Sequence, residues 1–156
     1  MTDGADIPPG DTAERRRWMG VLARASVAEI AARLRDAPPL PRHTRLRGPE
    51  VGLVMVRGRQ GGDGAPFNLG ETTVTRCAVG VPGGARVGHA YVAGRAAEKA
   101  ELAAVLDAAL QDAALRPALL RAVVEPLAAA QAERAARTAR KAAATRVDFS
   151  TLAVMR

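Results

Sequence analysis

Glycine and arginine residues concentrate in the stretch GRQGGDGAPFNLGETTVTR, from Gly58 to Arg76. Backbone N–H groups of glycine loops can bind anions, and arginine adds the positive charge that attracts phosphate groups. The alternative is a wide connection between two strands, whose glycines adopt positive φ. If the stretch binds an anion, the candidate residues are Arg57, Arg59, Gly61, Gly62, Gly64 and Arg76.

Two common nucleotide-binding motifs are excluded by the residues around these glycines. A Walker A loop has the pattern G-x-x-x-x-G-K-[ST], in which the lysine contacts phosphate, whereas GRQGGDGAP contains no lysine. A Rossmann glycine motif is followed directly by a helix, but the residues TTVTRCAVGV that follow here are typical of a strand.

The other reactive side chains do not form a catalytic or metal-binding pattern. Cys77 is the single cysteine, so an internal disulfide is excluded, and with His43 and His89 it lacks metal-ligand spacing. We expect Cys77 to be a small core residue and His89 to be a hydrogen-bonded sheet residue. Arg76 either pairs with an acid such as Glu71 or contacts a ligand or partner. No catalytic residue and no metal ligand is predicted, which disfavours a self-sufficient small enzyme.

The charge balance favours anionic partners. Lysine and arginine number 23 and aspartate and glutamate 16, so the formal net charge is 23 − 16 = +7. Phosphates, nucleic acid or an acidic protein face would be attracted; alternatively, the excess reflects only the arginine, alanine and glycine bias of a GC-rich genome. Aromatic residues make up 3% of the chain, too few for a base-stacking surface, so we expect no specific nucleic-acid binding.

Neither a membrane span nor an export signal is indicated. No apolar run approaches the roughly 20 residues that a membrane-spanning helix needs. The N-terminal residues MTDGADIPPGDTAERRRWM lack the apolar core of a signal peptide. We therefore expect a cytoplasmic protein without a membrane partner.

The spacing of apolar residues predicts an α+β fold. Residues 11–25 have helical periodicity, and a second helix follows directly, with Ser26 and Glu29 at capping-box spacing. Short gaps between the next apolar runs favour an antiparallel meander of about four strands. The prediction is thus an N-terminal helical hairpin, a β-meander and C-terminal helices, with strand-like runs at 51–58, 72–81 and 85–94.

The C-terminal residues are expected to form an arm. Within 127–144 an alanine stripe recurs at spacings of four and three, which lets another backbone approach closely; a solvated helix is the alternative. The tail RVDFSTLAVMR is apolar and is expected to be extended, and its candidate partner-interface residues are Arg146, Asp148, Phe149 and Leu152. The predicted organisation is a disordered segment at 1–10, an α+β domain at 11–126, and a helical arm with an extended tail at 127–156.

Four blocks of the chain resemble the PhnG family of bacterial carbon–phosphorus lyase subunits. They read DTAERRRWMGVLARASVAEIAARL, RGRQGGDGAPFNLGETTVTRCAV, GHAYVAGRAAEKAELAAVLDAAL and RVDFSTL, and together they span about residues 11–152. The glycine stretch leading to TVTRCAV and the tail RVDF are the most specific parts of this resemblance.

The resemblance implies a non-autonomous subunit of a phosphonate-utilisation core complex. With other subunits and an ATP-binding-cassette protein, such a complex transfers the ribose triphosphate of MgATP to a phosphonate and releases adenine, as a ribose 1-methylphosphonate 5-triphosphate synthase. MgATP is then a substrate of the complex, and this chain is expected to bind no cofactor of its own. The alternative interpretation is a stand-alone basic binding module for nucleotides or nucleic acid.

This sequence departs from the family pattern at two positions. Ala96 and Lys99 stand where the family usually has an acid and a histidine, whereas Gly94, Arg95 and Glu101 agree with the pattern. An acid–base role for that acid and histidine is therefore doubtful in this chain.

Overall fold

The computed structural model describes residues 9–82 and 86–147. A 3₁₀ turn at Gln60–Gly62 joins the first two strands, and a π-helical turn at Leu120–Val124 precedes the last helix. The α+β class expected from the sequence is confirmed. The elements are α1 (Pro9–Arg24), α2 (Val27–Leu34), β1 (Thr44–Arg59), β2 (Pro66–Gly80), β3 (Val87–Ala93), α3 (Ala97–Leu110), α4 (Arg116–Leu119) and α5 (Glu125–Ala144).

The two N-terminal helices are separated by the expected capping box. The Ser26 hydroxyl accepts a hydrogen bond from the Glu29 backbone N–H at 3.2 Å, and the Glu29 carboxylate accepts one from the Ser26 N–H at 2.8 Å. These two bonds satisfy N–H groups that have no partner within the helix. α1 begins at Pro9, and residues 1–8, most of the segment expected to be disordered, lie outside the described residues.

The sheet has three antiparallel strands in the order β1-β2-β3 within the described residues, which corrects the expected number of about four. β1 and β2 pair along almost their whole length, from Thr44↔Gly80 to Arg59↔Pro66. Residues 44–59 form one continuous strand, and PFNLGE continues β2 rather than belonging to a wide connection. The connection is therefore much shorter than the glycine content suggested.

β3 lies beside only one end of this long hairpin, the end away from the turn at Gln60–Gly62. It pairs with β2 from Gly80↔Val87 to Val74↔Ala93. Beyond Val74, β2 has β1 as its only strand neighbour in the described part of the chain. We call residues 53–73, which project past the end of β3, the hairpin arm.

The core lies between the base of the sheet and the helices. α3 is buried on all sides from Ala103 to Leu110, because the sheet covers one side and the other helices cover the rest. A Cβ added to Gly88 of β3 would lie 2.0 Å from the Ala104 carbonyl oxygen, so the two backbones are in direct contact.

α5 is packed only at its beginning. Leu127 is buried, but every residue from Ala132 to Ala144 is exposed. The helix expected over 127–144 is confirmed, and most of its alanine stripe faces outward.

Candidate functional site

The hairpin arm carries apolar side chains on both faces. Leu53 and Met55 pair with Thr73 and Glu71, so they share one face, and because side chains alternate along a strand, Val54 and Val56 lie on the other. All are exposed, Leu53 at 62% and Met55 at 50%. Soluble proteins rarely expose contiguous apolar surface of this kind unless it binds another molecule. The arm also includes the exposed Phe67 and Leu69.

The tip of the arm is a tight turn whose residues hydrogen-bond to one another. Gly61 and Gly62 have φ of 65° and 90°, which side-chain-bearing residues rarely adopt. A Cβ on Gly64 would lie 2.6 Å from the Gln60 carbonyl oxygen, and the Gly64 N–H donates to that oxygen at 3.0 Å. Arg59 donates to the Gly64 carbonyl at 3.0 Å. These contacts give the glycines a structural role, and anion binding at the tip stays a prediction.

Arg76 lies far from the other residues of the suggested anion site. It is ten residues from Pro66, the partner of Arg59, which is about 30 Å along an extended strand. Its guanidinium pairs with Glu50, which lies directly opposite on β1, at 3.0 Å. Arg76 therefore pairs with an acid, but with Glu50 rather than with Glu71, the acid given as an example, and contact with a ligand or partner stays a prediction. Arg57 is exposed near the tip, opposite Asn68.

A buried carboxylate, missed in the sequence, joins α1, α3 and β3. Asp107 is fully buried and accepts hydrogen bonds from the Arg15 guanidinium (2.7 and 3.1 Å), the Trp18 indole N–H (2.9 Å), the His89 backbone N–H (2.9 Å) and the Gln111 amide (3.3 Å). The available signal was one acid within the apolar run LAAVLDAAL. Its donors all come from this chain, so its role is structural.

Cys77 is buried on the helix-covered face of β2, as expected. Burial raises the pKa of its thiol, which favours the unreactive protonated form. His89 has an exposed side chain, and its backbone N–H makes the hydrogen bond to Asp107 described above. A core cysteine is thus confirmed, and His89 lies in the sheet as expected, with its hydrogen bond to Asp107 made by the backbone rather than by the ring.

The two positions at which this sequence departs from the family pattern, Ala96 and Lys99, lie at the start of α3. The Ala96 N–H donates to the Thr75 hydroxyl at 3.0 Å, and the Lys99 ammonium donates to the Ala23 carbonyl at 3.1 Å. Glu101 pairs with Arg45 at 2.7 Å, and that guanidinium, followed by His43, lowers the pKa of its carboxyl. Ala96, through its backbone, and Lys99 and Glu101, through their side chains, therefore make contacts within the chain.

A large open groove separates α1 and the start of α2 from α5. We call it the basic groove, because five of its lining residues are cationic and only Glu29 is acidic. Its cavity volume is about 950 Å³. Arg17 is paired with Glu125, and Arg134 with Glu29. The cationic lining residues are Arg16, Arg17, Arg24, Lys99 and Arg134.

A smaller, mostly apolar pocket of about 270 Å³ adjoins the basic groove. Arg16 and Gly20 line both cavities. Its remaining wall includes Met19 of α1 and Tyr91 and Val92 of β3. The two cavities therefore form one continuous surface across the middle of α1.

The expected partner residues of the tail are only partly placed. Arg146 follows α5 and is exposed, and Asp148, Phe149 and Leu152 lie outside the described residues. Within residues 9–82 and 86–147, no group of three metal-ligating side chains comes together. None of the helices in this part of the chain has the length and hydropathy of a bilayer-spanning segment.

Comparison with known proteins gives one consistent result. The family model described as "Phosphonate metabolism protein PhnG" matches residues 13–154. A relative from Rhizobium meliloti (strain 1021), named "Alpha-D-ribose 1-methylphosphonate 5-triphosphate synthase subunit PhnG", is 46% identical over 140 residues. That alignment covers 90% of this chain and 88% of the relative. The chain therefore belongs to the PhnG family of phosphonate metabolism proteins.

Proposed function

We propose that this chain is a non-autonomous subunit of a ribose 1-methylphosphonate 5-triphosphate synthase. The relative that is 46% identical bears that name and is aligned over 88% of its length, so the likeness extends over nearly a whole subunit. The synthase breaks the bond between adenine and the ribose carbon of MgATP and forms a bond from that carbon to a phosphonate oxygen. MgATP is a substrate of the complex, which works in the cytoplasm with further subunits and an ATP-binding-cassette protein.

The hairpin arm is the observation that carries this proposal. A two-stranded ribbon is only marginally stable by itself in water, yet this one exposes large apolar residues on both faces. Burying one leucine or methionine side chain contributes about 1.5–3 kcal/mol. Because Leu53 and Met55 are 62% and 50% exposed, covering both with a partner would contribute about 2–3 kcal/mol. The strand edges in the arm add unpaired backbone groups that another strand can join.

A co-purification experiment tests this role of the arm. The double variant Leu53→Asp, Met55→Asp places two charges on one face, so we expect at least a tenfold loss of this chain from a co-expressed complex. Asn68→Asp is the matched control, because Asn68 is an exposed polar residue of the same arm. Circular dichroism should show that both variants keep their helices. Normal recovery of the double variant in the complex would contradict an assembly role for the arm.

A turnover assay tests the reaction. The assembled wild-type complex with its ATP-binding-cassette partner should release adenine from MgATP when methylphosphonate is present, and omission of this chain should abolish the release. Equal adenine release without this chain would contradict its proposed place in the synthase.

A further inference from the structure

Two arginines of the basic groove have no polar partner in the described part of the chain. The side chains of Arg17, Lys99 and Arg134 are held by protein groups, whereas Arg16 and Arg24 make no such contact. They lie eight residues apart on α1, which is about 12 Å along the helix axis. Two cations at that separation suit an elongated anion, such as a triphosphate chain with its attached sugar.

Gly20 lies midway between these arginines, inside α1. Glycine in a helix interior is less stable than alanine by about 0.5–1 kcal/mol. Packing does not require it, because an added Cβ would have the Arg24 guanidinium at 4.0 Å as its single neighbour within that distance. Gly20 instead lines both the basic groove and the apolar pocket. The missing side chain leaves the passage between the two cavities open.

The two cavities differ in chemistry. The apolar pocket, at about 270 Å³, has room for one planar ring system beside Met19 and Tyr91. In the basic groove, the side-chain oxygen of Gln131 is buried and has no hydrogen-bond partner, while its amide N–H₂ donates to the Val21 carbonyl at 2.9 Å. This oxygen is shielded from the groove, so the polar groups that face a ligand there are the arginine side chains.

We propose that a nucleoside triphosphate binds across Gly20. The base occupies the apolar pocket, and the phosphates contact Arg16 and Arg24. This inference rests on the proposed function, because the synthase uses such a substrate, and it gives this chain a direct part in holding the nucleotide. Small residues on the α5 wall, Ala128, Ala132 and Ala135, leave space for the phosphates.

Calorimetric titration of the full-length chain with MgATP is the first test. Loss of a charged hydrogen bond weakens binding about tenfold or more, so Arg16→Glu and Arg24→Glu should each weaken it by at least that factor. Arg33→Glu is the control, because Arg33 is exposed on α2 and lies outside both cavities. Inorganic tripolyphosphate should bind at least about tenfold more weakly than ATP. Equal binding of tripolyphosphate, or equal losses in all three variants, would overturn the proposal.

The variant Gly20→Leu tests nucleotide binding in a chain whose α1 helix stays folded. A leucine is a good helix former, so α1 should stay intact by circular dichroism while the passage between the cavities is filled. We expect MgATP affinity to fall at least about tenfold. Unchanged affinity would overturn the proposal.

Photolabelling of the assembled complex with 8-azido-ATP is the second test. The azide on the base should label this chain within residues 16–24 or 87–93, and Arg24→Glu should remove the label from a complex that still assembles. Assembly and adenine release without labelling of this chain would overturn the inference and leave the proposed function intact. Nucleotide binding by a chain that does not assemble with the other subunits would support this inference and overturn the proposed function.

Discussion

Replacing Asp107 by asparagine removes the negative charge around which α1, α3 and β3 are joined. The side chain keeps its size, so packing changes little. One oxygen can still accept hydrogen bonds from the Arg15 Nε and Trp18 Nε1 groups, which now lie 3.1 and 2.9 Å from Oδ1. The new N–H₂ group then faces the donors that Oδ2 serves, which are the Arg15 Nη2, the His89 N–H and the Gln111 amide.

The expected loss of stability follows from these contacts. Arg15 is 27% exposed and can turn partly towards water, but the His89 N–H is held by the sheet and cannot. Leaving a buried donor unsatisfied costs about 1–3 kcal/mol, and breaking a buried ion pair from one side costs about 3–5 kcal/mol in total. We expect Asp107→Asn to lower the free energy of unfolding by about 3–5 kcal/mol, a large part of the 5–15 kcal/mol typical of a domain.

Urea denaturation followed by circular dichroism measures this loss. Glu133→Gln is the control, because its pair with Arg137 is long, at 3.9 Å, and exposed on α5; surface pairs contribute about 0–1 kcal/mol. If Asp107→Asn fails to fold, Gln111→Ala provides a graded change. It removes one of the donors to the carboxylate, an amide that also donates to the Val87 carbonyl at 2.9 Å, and it should cost about 1–2 kcal/mol. A loss below about 1 kcal/mol in Asp107→Asn would refute a structural role for the carboxylate.

Three further changes test other parts of the chain. Gly88→Ala places a Cβ 2.0 Å from the Ala104 carbonyl oxygen, so we expect urea denaturation to show a loss of at least about 2 kcal/mol; wild-type stability would contradict the close contact. The Ser26 N–H, then Arg134, holds the pKa of Glu29 at about 2, below its ordinary 4.5. The stability advantage over Glu29→Gln should therefore be complete above about pH 4.5 and disappear as the pH falls towards 2; a pH-independent difference in unfolding free energy would contradict this. Deleting residues 146–156 should leave a chain that is folded by circular dichroism but no longer co-purifies with its partners; normal assembly would exclude the tail as an interface.

Local signals in the sequence were sufficient for the capping box and for the buried face of β2. Ser26 and Glu29 make the capping box because its two hydrogen bonds join residues three apart, a distance that spacing alone reveals. Cys77 and Val79 are buried because residues two apart share one face of a strand. Each of these features depends on neighbours in the chain, so one sequence is enough to predict it.

The features that the sequence did not reveal are contacts between residues far apart in the chain. Arg76 pairs with Glu50 rather than Glu71 because the β1–β2 register places Glu50 directly opposite, and apolar periodicity does not specify a register. Asp107 receives its donors from residues up to 92 positions away. The basic groove likewise combines α1 with α5, and no local pattern brings those helices together.

The run VGLVMV at 51–56 has the conformation that its sequence predicts but not the burial. Apolar residues at successive positions are typical of a strand that is covered on both faces, but here the strand is exposed on both faces. The backbone is extended as the pattern predicts, but no other part of the described chain packs over the two faces of this segment. A second copy of the same chain would bring another net charge of +7 towards the first, which opposes self-association. A different subunit with an apolar groove and an acidic rim would bury the apolar side chains and attract the positive charge. We therefore expect the hairpin arm to be the part of this chain that binds the other subunits of the synthase.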